Sequence, residues 1–262
     1  MKNRIDNCFA GLRPAGRKGF IPYICAGDPN FRRTIELAVA LEKAGADLLE
    51  LGLPFSDPLA DGIVNQLAAE RALAAGATIR GLFDCVREIR NKSQIPIVIY
   101  SYLNPILQFG SERFHRDAEE AGVDGLLILD LPPEEDSALP ESNLFHIRLI
   151  APTTPAERIK KIAGSANGFL YYVSREGVTG AQQSVASSLP EKISELRAAS
   201  ELPIAVGFGI SNADQARQVA KHADAIVVGS AIVDLIAKHG DSDEMISKVG
   251  AFATEIAKSL NR

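Results

Sequence analysis

The sequence predicts an α/β chain folded as a (β/α)₈ TIM barrel, a single domain over residues 1–262 with a short N-terminal helix in front. Three observations lead there. Eight short apolar runs alternate with helix-length amphipathic stretches from one end to the other. Several of the runs are continuously apolar, the pattern of parallel strands buried on both faces. One local unit also recurs: EKAGADLLEL, EEAGVDGLLI and AKHADAIVVG each pass from a helix end through a small or capping turn to an Asp, then into an apolar strand. The length of 262 residues suits one such barrel, typically about 250 residues. An open doubly wound sheet alternates strand and helix in the same way and is the rival architecture.

Taken in order, MKNRIDNCFAGLRPAGRKG lacks the continuous apolar core of a secretory signal. It reads as a short amphipathic helix followed by a basic turn. Strands are expected at Phe20–Ile24, Asp47–Leu51, Ile95–Tyr100, Gly125–Leu129, Leu144–Leu149, Gly168–Val173, Pro203–Val206 and Ala225–Val228. Between them lie helical segments such as Thr34–Lys43, Ser111–Glu120, Pro155–Ala163, Leu189–Ala199 and Asn212–Ala220. In the recurring unit glycine suits the left-handed helix cap, and the Asp accepts turn hydrogen bonds at strand entry. The stretch Glu176–Ser188, rich in Gly, Ser and Ala, is long for a strand-to-helix connection. It is expected to be a lid.

Composition narrows the function classes. With 46% hydrophobic and 23% charged residues the chain is ordinary globular protein. A net charge of −5 argues against nucleic acid or an anionic membrane as partner. No apolar stretch approaches the ~20 residues that span a bilayer. Cys8, Cys25 and Cys85 are an odd, scattered set, fitting reduced thiols in a cytoplasmic protein. His115, His146, His222 and His239 are equally dispersed, so no metal site is expected.

Chemistry in a barrel is expected on the loops after each strand, at the C-terminal rim. The run DLLELGLPFSDPLADG places two carboxylates in opposite surroundings. Glu50 sits in an apolar strand, where an unpaired charge costs several kcal/mol. Asp61 lies in the following turn. Two acids so placed can take different proton-transfer roles. Alternatively, Glu50 pairs with a buried Arg or Lys and Asp61 caps a helix. Gly207-Phe208-Gly209 after strand seven and Gly229-Ser230 after strand eight can wrap an anion with backbone N–H groups. The same glycines would also serve tight turns. In the lid, Arg175 is a candidate phosphate partner or a solvated charge, and Thr179 a candidate to orient a carboxylate or a turn residue. The rim aromatics Tyr23, Phe55, Tyr100, Tyr102 and Tyr171 suggest a flat apolar ligand, unless they only pack. Cys25 has no histidine at a neighbouring rim position and reads as a buried thiol.

The motifs AGDP, ELGLPFSDPLADG, LNP, LDLPPEE, SREGVTG, GFGIS and GSAIV, in this order, resemble the tryptophan synthase alpha subunit family from about Phe20 to Val233. The resemblance implies cleavage of indole-3-glycerol phosphate to indole and glyceraldehyde 3-phosphate, with no cofactor. It further implies that indole passes to a pyridoxal-phosphate-bearing beta subunit in an αββα assembly. By this resemblance Glu50 is the acid/base glutamate and Asp61 the aspartate near the indole nitrogen. Gly180, Gly209, Gly229 and Ser230 match phosphate-binding positions, and Tyr23, Tyr171, Thr179 and Phe208 further active-site positions. Glu50 should hold its proton more readily than a solvated Glu, while Asp61, in a polar turn, should stay ionised. Docking is expected through the loops at 52–62 and 101–110, with Pro54, Leu59, Leu103 and Pro105 as apolar contacts unless they serve only ordinary loop packing. Three positions depart from the family pattern: Ile63 replaces a usual proline, Cys25 a common threonine, and Tyr100 is larger than the aliphatic residue expected. A stand-alone lyase releasing free indole, a barrel that only activates a beta chain, and a different phosphosugar barrel such as an epimerase are the alternatives.

Overall fold

The computed structural model describes residues 3–173, 182–207 and 209–260. Eight parallel strands close into a barrel in sequence order: β1 (Gly19–Cys25), β2 (Leu49–Gly52), β3 (Ile97–Ser101), β4 (Gly125–Ile128), β5 (Phe145–Ile150), β6 (Leu170–Val173), β7 (Ile204–Gly207) and β8 (Ala225–Val228). Closure of β8 onto β1, with Gly19 opposite Ala225, rules out the open doubly wound sheet. Each strand overlaps its predicted run.

Helices surround the strands: α1 (Arg4–Leu12), α2 (Phe31–Lys43), α3 (Ile63–Ala74), α4 (Ile79–Arg90), α5 (Leu103–Phe109), α6 (Ser111–Ala121), α7 (Ala156–Gly164), α8 (Gln182–Ala199), α9 (Ala213–Ala220), α10 (Ser230–His239) and α11 (Asp243–Leu260). Two of them correct the sequence reading. Residues 103–109, expected as loop, form α5, with Ile106 buried against the core. Residues 182–188, assigned to the lid, open α8, while 176–181 lie outside the described residues.

The continuous apolar character of the strands follows from burial on both faces. Leu49, Leu51, Ile97, Ile99, Ile204, Val206, Ile226 and Val228 face the helices in the larger core. Leu48, Val98, Leu127, Ile147, Phe169, Ala205 and Val227 fill the barrel interior. The amphipathic helix α1 puts Ile5, Phe9 and Leu12 into that interior cluster, covering the end of the barrel at which the strands begin. The recurring Asp acts across strands rather than within its own turn. Asp47, Asp124 and Asp224 accept, through Oδ2, the N–H groups of Phe20, Ile97 and Ile204, at 2.9, 2.8 and 2.9 Å. Each returns its own N–H to the carbonyl of that same residue. This two-point link sets the register at the strand entries. It leaves the opposite, C-terminal ends open to carry side chains.

Candidate active site

From Leu48, just before β2, to Gly52 at its end, positions alternate between the helix side (Leu49 and Leu51) and the barrel side (Leu48, Glu50 and Gly52). The acid is thus the one carboxylate in a strand whose other residues are Leu and Gly. Glu50 is 2% exposed. Among the described residues no Arg or Lys pairs with it. Burial, reinforced by the nearby Asp61 charge, pushes its carboxyl up to about 8.

Asp61 is half-buried in the loop after β2 and is held by side chains from β3 and its extension. Tyr100 donates its hydroxyl to Asp61 Oδ1 at 2.9 Å, and Tyr102 donates to Oδ2 at 2.8 Å. Asn65 Nδ2 is a longer 3.4 Å from Oδ1, and Gln66 Nε2 donates to the Asp61 carbonyl at 2.8 Å. Asp61 does not cap α3. The cap position is Gly62, with no side-chain hydrogen bond. The turn is also less open than a polar loop: burial raises the Asp61 carboxyl, against the lowering effect of Tyr102, Tyr100 and Asn65.

The tyrosines form the walls. Tyr23 lies in register with Glu50 and meets Tyr100 edge-on, ring centroids 5.2 Å apart at 70°. Tyr171, on β6, senses the charges of Glu50 and Asp61 across the barrel, and burial lifts its phenol well above the ordinary value. Phe55 leans on Tyr102 at 5.5 Å. Two glycines make this arrangement possible. A Cβ on Gly52 would sit 2.3 Å from the Tyr23 hydroxyl, and one on Gly207 would sit 2.8 Å from that of Tyr171. Gly207, expected to help wrap an anion, therefore also gives room to a phenol.

At the ends of β7 and β8, Gly209 adopts φ +64°, a conformation that disfavours side chains. Gly229 precedes α10, whose first residue is the exposed Ser230, and among the described residues no side chain caps that helix. Open N–H groups at a helix start attract anions. A Cβ on Gly229 would lie 3.4 Å from Tyr23, so the helix start adjoins the tyrosine that neighbours Glu50. Among the predicted site residues, the structure thus gathers Glu50, Asp61, Tyr23, Tyr102, Tyr171, Gly209, Gly229 and Ser230 at one rim. Thr179, Gly180 and Phe208, with Arg175, lie outside the described residues. Of the expected docking contacts, Leu59 is 91% exposed, while Pro54 is buried.

The role of Tyr100 toward Asp61 and the room left by Gly52 were missed from sequence. The available signal was the period of two, which puts Gly52 on the face of Glu50 and Tyr100 opposite Gly52 in register. Cys25 is buried, as expected. Among the described residues no group of three or more His, Cys, Asp and Glu is placed to hold a metal, and no helix is long and apolar enough to cross a membrane.

A closed barrel with a buried acid, a second carboxylate and a glycine-capped helix start at its C-terminal rim has the layout of a barrel enzyme. The sequence profile described as tryptophan synthase alpha chain matches residues 9–261. The tryptophan synthase alpha chain of Opitutus terrae is 49% identical, over 99% of this chain and 100% of that one. The crystal structure of tryptophan synthase subunit alpha from Legionella pneumophila superposes with a TM-score of 0.89 at 39% identity, covering 100% and 99% of the two chains. A structure of Mycobacterium tuberculosis tryptophan synthase gives 0.90 at 33%, covering all of both chains. The chain belongs to the tryptophan synthase alpha chain family, whose reaction is the lyase cleavage of indole-3-glycerol phosphate.

Proposed function

We propose that this chain cleaves indole-3-glycerol phosphate with Glu50 as the proton-transfer group and Asp61 as the stabiliser of the indole nitrogen. The observation that carries the assignment is Glu50 itself: a buried acid, without a cation partner among the described residues, on the barrel face that Asp61 and the tyrosines share. An acid with its pKa near the working pH can both give and accept a proton.

The substrate phosphate lies at Gly209, Gly229 and Ser230, against the N–H groups that open α10; the family resemblance adds Gly180, which lies outside the described residues. The indole lies between Tyr23, Tyr102 and Tyr171; the family resemblance adds Thr179 and Phe208, which lie outside the described residues. A proton delivered to indole C3 makes that ring electron-poor, and Asp61 accepts the N1–H and stabilises the positive charge. Removal of the proton from the adjacent glycerol hydroxyl turns that carbon into an aldehyde. The bond between indole C3 and the glycerol chain breaks, and its electron pair returns to the ring. Glu50 serves both transfers. The products are indole and glyceraldehyde 3-phosphate.

The partner is a tryptophan synthase beta subunit in an αββα assembly, docked on the C-terminal rim where Leu59 and Leu107 are exposed. Residues 1–262 act as one domain, in the cytoplasm, where the three free cysteines stay reduced. The test is incubation of the purified chain with indole-3-glycerol phosphate, with and without a cognate beta subunit. Indole should appear in both, faster in the complex. No indole in either would overturn the assignment, and brisk release without complex formation would favour the stand-alone lyase.

A further inference from the structure

Tyr100 is next to last in β3, on the barrel-facing side, and its hydroxyl reaches one oxygen of Asp61 while Tyr102 takes the other. The proton directions are determined by the surroundings. Tyr102 Oη accepts the Ala60 N–H at 2.9 Å, so its own O–H is left to point at Asp61. The Tyr100 ring is locked by its edge contact with Tyr23, whose hydroxyl in turn occupies the space over Gly52. On the backbone side Asp61 is tied by its N–H to the Pro58 carbonyl at 3.0 Å, and by Gln66 to its own carbonyl. Each carboxylate oxygen keeps lone-pair capacity beyond its one phenol, so the clamp leaves the acid able to accept a ligand N–H.

We infer that Tyr100 is a positioning residue for Asp61, setting the carboxylate in acceptor geometry before substrate or partner arrives. This rests on the proposed role of Asp61 in naming what the carboxylate meets. A second position bears on the same acid. Ile63 stands at the first position of α3, 62% exposed, where a proline would stiffen the chain after Asp61. Tyr100 supplies from the barrel wall the restraint that Ile63 does not supply from the loop. On this inference a backbone restraint at position 63 should substitute for the phenol at position 100.

The interchange is testable with Tyr100→Phe, Ile63→Pro and the double variant. Phenylalanine keeps the ring against Tyr23 and removes only the O–H. Among the described residues the Ile63 N–H has no backbone or side-chain acceptor, so proline there costs no hydrogen bond. Loss of a hydrogen bond to a charged group should lower kcat by ~10-fold or more with KM little changed. The double variant should recover a substantial part of that loss.

A second readout does not need catalysis. With ¹³C-labelled aspartate, and Asp61→Asn to assign the resonance, the Asp61 carboxyl should titrate at higher pH in Tyr100→Phe, because a donor to its charged form is gone. The titratable groups facing Asp61 are Glu50 on β2, Tyr23 and Cys25 on β1, Tyr171 on β6, and the two clamping phenols. Glu50→Gln as a second background separates its titration from that of Asp61. An unmoved Asp61 titration, or wild-type kcat in Tyr100→Phe, overturns the inference. A wild-type chain that makes no indole defeats the functional reading instead, and the carboxyl titration then decides the role of Tyr100 alone.

Discussion

Replacing Glu50 with Gln should raise stability at alkaline pH while removing activity. The carboxyl on β2 is 2% exposed, and burial with the Asp61 charge raises its pKa from 4.5 to about 8. The native state therefore holds this proton more tightly than the unfolded chain does. Between those two values the unfolded state binds fewer protons, so stability falls as pH rises through the window. Below it both states are protonated, and above it neither is, so this group contributes no further change. One pH unit of such a difference is worth about 1.4 kcal/mol, which makes the cost ~3 kcal/mol at neutrality and ~5 kcal/mol once the native carboxyl has ionised. Gln does not titrate. Urea unfolding of wild type and variant, followed by circular dichroism from about pH 4 to about pH 9, should show the difference moving toward the variant by several kcal/mol across the window. In the same samples kcat for indole-3-glycerol phosphate should fall by ~10²-fold or more. Parallel stability curves would show that Glu50 is not held protonated by the fold. Retained kcat would show that it is not the proton-transfer group.

Three further outcomes follow from the same geometry. Gly229→Ala places a Cβ at an ordinary 3.4 Å from Tyr23, so the fold should be kept while KM for the phosphorylated substrate rises several-fold; steady-state kinetics with glycerol 3-phosphate as competitor checks this, and an unchanged KM would move the phosphate elsewhere. Gly52→Ala puts a Cβ 2.3 Å from the Tyr23 hydroxyl, and displacing that ring should cost ~1–3 kcal/mol of stability and lower kcat; a crystal structure with Tyr23 unmoved would contradict it. Arg71, on α3, holds the 1% exposed Asp28 through two bonds of 2.9 and 2.7 Å. Arg71→Ala strands that acid and should cost ~3–5 kcal/mol in urea unfolding, and Arg71→Lys should restore only part because it cannot make the paired contact.

Much of this protein is written along its sequence. The strands are legible because both faces of each are buried, so apolar residues run on without alternation, as in Ile97–Ile99 and Ala225–Val228. Glu50 stands out for the same reason, a charge where its neighbours are all apolar. Asp47, Asp124 and Asp224 announce the repeating unit, although only the structure shows that they bind the neighbouring strand. Short-range patterns fail where the decisive contact is distant. The motif Leu103-Asn104-Pro105 reads as loop, yet burial of Ile106 against the helical layer makes it a helix. Tyr100 reads as one aromatic among several until barrel closure brings it to Asp61, 39 residues away in the chain. Gly52 reads as the end of a strand until the hydroxyl of Tyr23 is found lying over it. Burial periodicity is set by neighbours in sequence and survives in the sequence. Which side chains meet across the mouth is set by strand register and closure, and those are properties of the assembled barrel.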